Sequence, residues 1–193
     1  MNEVNEVNEV NEPNSPWYAI KLFTLRQNDV ANYFKEQGLE VFIPMEHADI
    51  EDDNHKVHHI LRPVVRNLIF VKKSIEEKDF KQLVTDCQYK IAAITRNRNS
   101  REYAEIPAKQ MEEFQIMCNP DLAMTKYIST DEARLKKGTM VIVTNGPLKG
   151  LTGRLVRQNK LYYLLKEVPG LAILLKVSRW CCKAHADGVL NAK

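Results

Sequence analysis

A segment rich in histidine and carboxylate, residues 46–59, holds the side chains of this sequence that could bind a metal. They are three carboxylates at alternate positions and three histidines: Asp49, Glu51, Asp53, His55, His58 and His59. A calcium loop needs glycine where this segment has Asn54 and a bidentate glutamate where it has Ile60. The histidines have no fourth zinc ligand at a recognisable spacing. We therefore expect no metal site, and solvated histidines near the tip of a β-hairpin.

The sequence motifs of common enzyme active sites are absent. There is no phosphate-binding G-x-x-x-x-G-K-[ST], no G-x-S-x-G nucleophile elbow and no zinc-binding H-E-x-x-H. The cysteines contain no C-x-x-C pair, and we expect free buried thiols at Cys87, Cys118, Cys181 and Cys182. We therefore expect no catalytic residue, no cofactor and no enzymatic activity.

A glycine-rich turn in residues 141–156, VIVTNGPLKGLTGRLV, is the strongest candidate for a binding element. Apolar residues alternate on both sides of it, which predicts two strands, and Asn145-Gly146-Pro147 is typical of a tight turn. Gly150 and Gly153 leave the backbone uncovered beside Lys149. This turn could therefore approach a ligand closely.

Basic side chains are concentrated in the last third of the chain. Residues 134–193 contain 12 Lys or Arg against 2 Asp or Glu, a net charge of +10, whereas residues 13–118 contain 15 against 16, a net charge of −1. Such an excess attracts phosphate backbones or acidic protein surfaces. We expect Lys149 and Arg154, together with Arg26, to contact nucleic acid or an acidic partner.

The pattern Gly138-x-x-Val141-x-Val143-x-x-Gly146-Pro147-Leu148-x-Gly150-x-x-Gly153-x-Leu155 resembles a KOW motif, the strand-loop-strand signature of ribosomal and transcription-elongation proteins. Its position late in the chain, with Trp17-Tyr18 opening a strand far upstream, resembles the NusG family. The chain length and residues 63–71, PVVRNLIFV, are most similar to specialised paralogues of the RfaH and UpxY kind. The resemblance extends from Trp17 to about Lys183.

The N-terminal elements alternate between strand and helix. Residues 17–25 are rich in the aromatic and β-branched residues of a half-buried strand. Three helices are predicted: one from a cap at Asn28 to Gly38, one after a Ser74–Glu77 capping box, and one from Pro107 to about Cys118. Further strands, near 39–45, 62–73 and 91–95, complete a compact α+β domain.

The C-terminal third is predicted to be all β. Residues 119–134 lack a strong apolar period and are interpreted as a linker. Two apolar runs flank Val168-Pro169-Gly170 and predict a hairpin, and Arg179-Trp180 begins a last short strand. Five short strands in this space suggest an SH3-like barrel carrying the KOW motif.

The predicted organisation has five parts. They are a disordered acidic repeat tail (1–15), a NusG N-terminal-like (NGN) domain (16–118), the linker (119–134), the KOW barrel (135–183) and a tail (184–193). The first tail follows from the repeat NEVNEVNEVNEP, whose glutamates repel one another and whose valines are too few for a core.

The resemblance implies a factor for transcription elongation and antitermination, acting at long operons such as surface polysaccharide loci. In NusG-like proteins an apolar depression on the N-terminal domain binds the clamp helices of the largest RNA polymerase subunit. The matching positions of this sequence are Tyr18, Phe23, Val65, Leu68 and Phe70. Periodicity does not distinguish an exposed apolar patch from an ordinary buried sheet face.

Two departures from the family pattern affect the expected contacts. General NusG proteins carry Pro-Gly where this chain has Arg66-Asn67, which adds a charge beside the expected polymerase surface. Residues 79–82 contain no threonine, so the threonine-rich contact that RfaH makes across the polymerase cleft is not carried over.

Other partners and functions remain open at this point. The resemblance allows contacts with non-template DNA or nascent RNA, and with Rho or a ribosomal protein through the KOW domain. One alternative function is the general NusG elongation factor that couples polymerase to Rho or the ribosome. Another is a ribosomal or RNA-binding KOW protein, which explains the basic C-terminal part but leaves the N-terminal domain without a role. We expect a monomer. We expect it in the cytoplasm, because no apolar run approaches about eighteen residues and no signal peptide pattern is present.

Some RfaH proteins fold the C-terminal segment as a helical hairpin that covers the polymerase site. The leucine-rich residues 161–165 and 171–175 would tolerate helix. Pro169-Gly170 and the many β-branched residues favour strands instead. We therefore predict a β-structured C-terminal domain that is independent of the N-terminal one.

Overall fold

A computed structural model describes residues 14–97, 99–122 and 125–185 of the chain. These residues form two compact units. The first unit holds the described residues up to Ile43 together with Arg66–Lys109, and the second holds Pro44–Val65 together with the described residues from Gln110 onward. The predicted tails fall outside the described residues apart from 14–15 and 184–185.

Strands and helices alternate in the first part of the chain, and strands dominate the second. In order they are β1 (Trp17–Leu22), α1 (Gln27–Glu36), β2 (Val41–Phe42), β3 (Met45–Glu51), β4 (Val57–Pro63), β5 (Leu68–Lys72), α2 (Glu77–Asp86), β6 (Ile91–Ala93), β7 (Glu105–Ile106), α3 (Ala108–Met117), β8 (Thr125–Ile128), α4 (Thr130–Leu135), β9 (Thr139–Val143), β10 (Thr152–Gln158), β11 (Leu161–Val168), β12 (Leu171–Val177) and β13 (Cys182–Ala184). A 3₁₀ turn, Arg179–Cys181, precedes β13.

The first unit is built around an antiparallel sheet in the order β2-β5-β1-β6, with β7 also paired to β1. Alternation along β1 and β5 turns Ile20 and Ile69 toward the helices, where they join a core with Phe34 of α1 and Phe80 of α2. The rings of Phe34 and Phe80 stack with centroids 5.9 Å apart. The predicted interleaving of strands and helices is therefore present, and both helices cover the same face.

The helix boundaries agree with the sequence only in part. Gly38 has φ +77°, its N–H donates to Lys35 and the next N–H donates to the Phe34 carbonyl, so the predicted glycine end of α1 is confirmed. The cap at Asn28 is wrong, because α1 already begins at Gln27. The Ser74–Glu77 capping box is also wrong, because α2 begins at Glu77 and makes no side-chain cap bond.

The second unit contains one six-stranded antiparallel sheet in the order β13-β9-β10-β11-β12-β8. The strands β9 to β12 coincide with four of the five predicted strands, and both leucine-rich runs are strands, β11 and β12, rather than helices. The predicted start of the fifth strand at Arg179-Trp180 is wrong, because these residues form the 3₁₀ turn and β13 begins at Cys182. Helix α4 covers part of this sheet, where Ala133 packs with Val156, Tyr163 and Leu165.

The predicted linker is wrong for its second half. Residues 125–128 form β8, which pairs with β12 so that Ile128 lies opposite Ala172. Helix α4 follows directly, and the Ser129 side chain accepts a hydrogen bond from the Glu132 N–H at 3.1 Å. Ser129-x-x-Glu132 has the spacing of a capping box ahead of a short helix. The linker was predicted from composition, which does not take this spacing into account.

The remaining strands, β3 and β4, pair with each other and with no other described strand, and they form the predicted hairpin. The acidic segment is mostly strand rather than tip, since β3 extends to Glu51. None of the helices within the described ranges is long and apolar enough to cross a membrane.

Candidate functional site

The turn between β1 and α1 exposes two apolar side chains. Phe23 is 54% exposed and Leu25 is 85% exposed. The backbone fixes the position of Phe23, because the N–H groups of Leu22 and Phe23 donate to the carbonyls of Asn67 and Lys90 at 2.9 and 3.0 Å. An exposed apolar pair at the end of a sheet strand is typical of a partner-binding surface.

Cations lie beside Phe23. The ammonium groups of Lys21 and Lys90 each lie 5.6 Å from the centre of the Phe23 ring. Arg26 lies in the same turn and pairs with Asp29 at 3.4 Å. We call Lys21, Phe23, Leu25, Arg26 and Lys90 the Phe23 surface. Its chemistry suits a partner that offers apolar side chains bordered by carboxylates.

Three of the five predicted polymerase-binding residues are core residues of the first unit. Tyr18, Leu68 and Phe70 are each less than 5% exposed. The buried Gln27 amide also donates to the Leu68 carbonyl at 2.8 Å. Val65 is half-buried, and Phe23 is the one of the five that is open to solvent. The alternation of apolar residues along the strands does not show which of the five side chains are buried, because both faces of the sheet are apolar.

The Tyr18 side chain lies inside the fold rather than on an open surface. Its hydroxyl donates to Glu105 at 3.2 Å, and Lys73 donates to the same carboxylate at 2.8 Å. Burial raises the pKa of Tyr18. The hydrogen bond from Lys73 lowers the pKa of Glu105, and the same bond raises the pKa of Lys73. This charged group stabilises the edge of the sheet where β7 joins β1.

The glycine-rich turn places its two cations differently. Lys149 is exposed at the turn, whereas Arg154 is half-buried within β10. The Arg154 guanidinium donates to the Ala133 carbonyl at 3.0 Å and lies 3.6 Å from Glu167. Arg154 is thus occupied in holding α4 on the sheet, and Lys149 alone stays open to a ligand.

Gly153 is required by packing. A Cβ at this position would lie 2.8 Å from the Leu165 carbonyl and 2.9 Å from the Leu164 side chain. The neighbouring strand therefore covers this backbone, which corrects the expectation that it is uncovered. The glycine serves close strand packing rather than ligand approach.

A buried ionic group that the sequence did not indicate joins α3 to the six-stranded sheet. Lys166 donates to the Glu113 carboxylate and to the Thr152 carbonyl, the latter at 3.1 Å. Thr152 also donates to Glu113 from its hydroxyl at 2.7 Å and its N–H at 3.0 Å. Burial alone would raise the pKa of Glu113, but these hydrogen bonds lower it overall.

The histidines of the β3–β4 hairpin pair with carboxylates. His58 contacts Asp52 at 2.9 Å, and two further pairs join His55 to Glu51 and His59 to Asp49. The bond from His58 lowers the pKa of Asp52. Within the described ranges, no group of three or more candidate ligands is placed to hold a metal.

The four cysteines are free thiols, as far as the described residues show. Cys118 is buried, and burial raises its pKa to about 12. A thiol in that state is a poor nucleophile and behaves as a core residue. The remaining three are half-buried.

Comparison with known proteins identifies the family. Residues 15–115 match the model of the NusG family, described as transcription termination factor nusG. The match covers 101 of 193 residues, which is more than half of the chain, and it ends before the glycine-rich turn. No curated protein matches the chain. The chain therefore belongs to the NusG family of transcription termination and elongation factors.

Proposed function

We propose that this protein is a specialised transcription antitermination factor that binds RNA polymerase through its N-terminal unit. The family match to residues 15–115 is the observation that carries this proposal, because it coincides with the part of the chain expected to contact polymerase. RNA polymerase is the general partner that the family implies. The protein acts as a binding factor without enzymatic activity.

The Phe23 surface is the contact that we propose for polymerase. It combines two exposed apolar side chains with Lys21, Arg26 and Lys90. Arg66 is exposed next to Asn67, whose carbonyl bonds the end of β1, and it adds a further cation at this edge. Clamp helices with an apolar stripe and flanking acidic residues would match this arrangement.

The buried residues Tyr18, Leu68 and Phe70 are assigned a supporting role. They hold β1 and β5 together, with Tyr18 opposite Val71 and Ala19 opposite Phe70 in the register. Their removal would displace the edge that carries Phe23. Loss of polymerase binding in such variants would therefore follow from loss of the fold.

The specialised role rests on the resemblance to paralogues of the RfaH and UpxY kind. Residues 63–71 and the exposed Arg66 distinguish this chain from general NusG proteins at the proposed contact. Suppression of pausing and termination at long operons, such as surface polysaccharide loci, follows from that resemblance. The general elongation factor coupled to Rho or the ribosome is the competing function.

Single-round transcription on a template with a Rho-dependent terminator separates the two functions. A specialised antiterminator is expected to raise read-through and to shorten pauses. Increased termination in the presence of Rho would instead support the general factor. A Phe23→Asp/Leu25→Asp variant serves as the matched control. It should lose whichever of the two effects the wild type shows, while remaining folded.

A further inference from the structure

An exposed tryptophan stands in a group of cations at one end of the six-stranded sheet. Trp180 lies in the 3₁₀ turn before β13 and is 89% exposed. It lines a shallow cavity of about 340 Å³ together with Tyr162, Lys160, Lys176 and Arg179. We call these five residues and Arg157 the Trp180 patch. Burying an indole is favourable, so an exposed one needs a reason.

The cations of the patch are available to a ligand. Across the described ranges, no carboxylate forms an ion pair with Arg157, Lys160, Lys176 or Arg179. In contrast, Arg154 and Arg134 in the same unit both lie within 4 Å of Glu167. The patch therefore concentrates positive charge that no carboxylate among the described residues neutralises.

The aromatic ring of Tyr162 orders two of these cations. Arg157 lies opposite Tyr162 in the β10–β11 register, and its guanidinium is 5.7 Å from the ring centre. The guanidinium of Arg179 is 6.0 Å from the same ring. Contacts of this kind restrict flexible arginine side chains, so less freedom is lost when they bind a ligand.

The turn that carries Lys160 adopts an unfavourable backbone conformation. Asn159 has φ +49° and Lys160 has φ +64°, the left-handed geometry of a two-residue hairpin turn in which glycine is usual at the second position. Lys160 thus occupies a position where glycine would be less strained. The turn places this lysine in the lining of the cavity.

We propose that the Trp180 patch binds single-stranded nucleic acid. Every base has a planar face that can stack on an exposed indole, and the backbone phosphates on either side match the four cations, which have no ion-pair partner among the described residues. In a duplex the bases already stack on one another, so an exposed indole has no base face to bind. The proposal is independent of polymerase binding, because it concerns different residues in the second unit.

Tryptophan fluorescence tests this site directly. The chain contains two tryptophans, and Trp17 is buried in the first unit, so it reports little of an added ligand. Titration of the full chain with a 12-nucleotide oligouridylate and with oligothymidylate of equal length should quench the emission from Trp180. The two arms distinguish RNA from DNA, and a duplex of the same length should bind more weakly. Binding without quenching, or no binding at low salt, would overturn the proposal.

Variants separate stacking from charge. Trp180→Ala is expected to weaken binding roughly fivefold to a hundredfold, the range seen for loss of one base–aromatic stack, whereas Trp180→Phe should retain most of the affinity. Arg179→Gln should lower the slope of log affinity against log salt by about 0.7. The control Lys137→Gln removes an exposed cation elsewhere in the unit and should change the affinity little.

Two further results would contradict the site. One is an unchanged affinity in a folded Trp180→Ala variant. The other is tighter binding of polyglutamate than of either oligonucleotide at the same ionic strength, which would favour an acidic protein partner instead. Polymerase binding measured on Trp180→Ala should be normal, so failure of this inference is distinguishable from failure of the proposed function.

Discussion

Lys166 on β11 and Glu113 on α3 form a buried ion pair, with exposed fractions of 8% and 6%. Thr152 completes the group by donating twice to the carboxylate and accepting from the ammonium group at its carbonyl. Two charges taken out of water are tolerated because each finds several partners. Helix α3 is therefore fixed to the sheet by a specific polar contact as well as by apolar packing.

Removing one member of this pair should be costly. We expect Lys166→Met to lower the free energy of unfolding by about 3 kcal/mol, because it leaves the Glu113 carboxylate buried without its cation. Urea unfolding followed by circular dichroism measures the loss. The double variant Lys166→Met/Glu113→Leu should regain part of the stability, since apolar residues of similar volume replace both charges while the N–H and hydroxyl of Thr152 lose their acceptor. A single variant as stable as the wild type would show that the pair is solvated.

An exposed ion pair provides the matched comparison. Lys81 and Glu77 pair on the surface of α2, where both side chains are more than a third exposed. Substituting Lys81 by methionine should change the unfolding free energy by less than about 0.5 kcal/mol. An equal loss at both sites would contradict the importance given to burial.

The same carboxylate predicts how stability depends on pH. The folded-state pKa of Glu113 is lowered from its ordinary value of 4.5, so its contribution is fully present above that value. As the pH falls below 4.5, the group becomes protonated in the unfolded state first and the contribution is lost. Melting temperature measured from pH 7 to pH 3 should fall less steeply in Glu113→Gln than in the wild type. Parallel curves would contradict the lowered pKa.

Phe70 and Phe23, two of the three aromatic residues assigned to polymerase binding, should behave differently from each other. Phe70→Asp places a charge at a fully buried position and should cost more than about 3 kcal/mol, so that the first unit unfolds. Phe23→Asp changes an exposed side chain and should leave the far-ultraviolet spectrum and the melting temperature nearly unchanged. A folded Phe70→Asp variant would restore the interpretation of Phe70 as a surface residue.

The predicted domain boundary gives a further test. A fragment that begins at Arg134 lacks β8 and most of α4, so it leaves β12 as an unpaired edge and removes Ala133 from the core. We expect it to be less stable than a fragment of residues 119–193 and more prone to aggregate. Urea unfolding of both fragments measures the difference in stability, and their chemical shifts, compared with those of the intact chain, show whether each keeps the native fold. Equal stability would support the predicted linker.

Local sequence signals predicted the elements whose residues depend mainly on their neighbours. The glycine end of α1 and the strands around the Val168-Pro169-Gly170 turn were predicted correctly, because turn chemistry acts within a few residues. Strand β8 was missed because its apolar pattern is short and its stability comes from β12, which lies more than forty residues later. The predicted helix caps at Asn28 and Ser74 are wrong, because neither helix begins directly after the polar residue that was expected to cap it.

The candidate site was less predictable than the fold. Alternation placed Leu68 and Phe70 on one face of β5, as observed, but which face is covered depends on contacts distant in sequence. The same limit hid the pairing of Lys166 with Glu113, since charged residues are ordinarily taken as solvated. Trp180 and Tyr162 are two aromatic residues interleaved with cations, a pattern that favours ligand binding. The predicted binding element was instead the glycine-rich turn, so this pattern was not used.

Binding of core RNA polymerase by variants of the Phe23 surface tests the central claim most directly. Full-length wild type, Phe23→Asp/Leu25→Asp and the control Leu135→Asp, which alters an equally exposed leucine on α4, are titrated with polymerase and followed by fluorescence anisotropy of a label. We predict that the wild type and the control bind alike, while the double variant binds at least tenfold more weakly and keeps its melting temperature. Equal binding by all three proteins would contradict the assignment of this surface, and no binding by the wild type would contradict the proposed function itself.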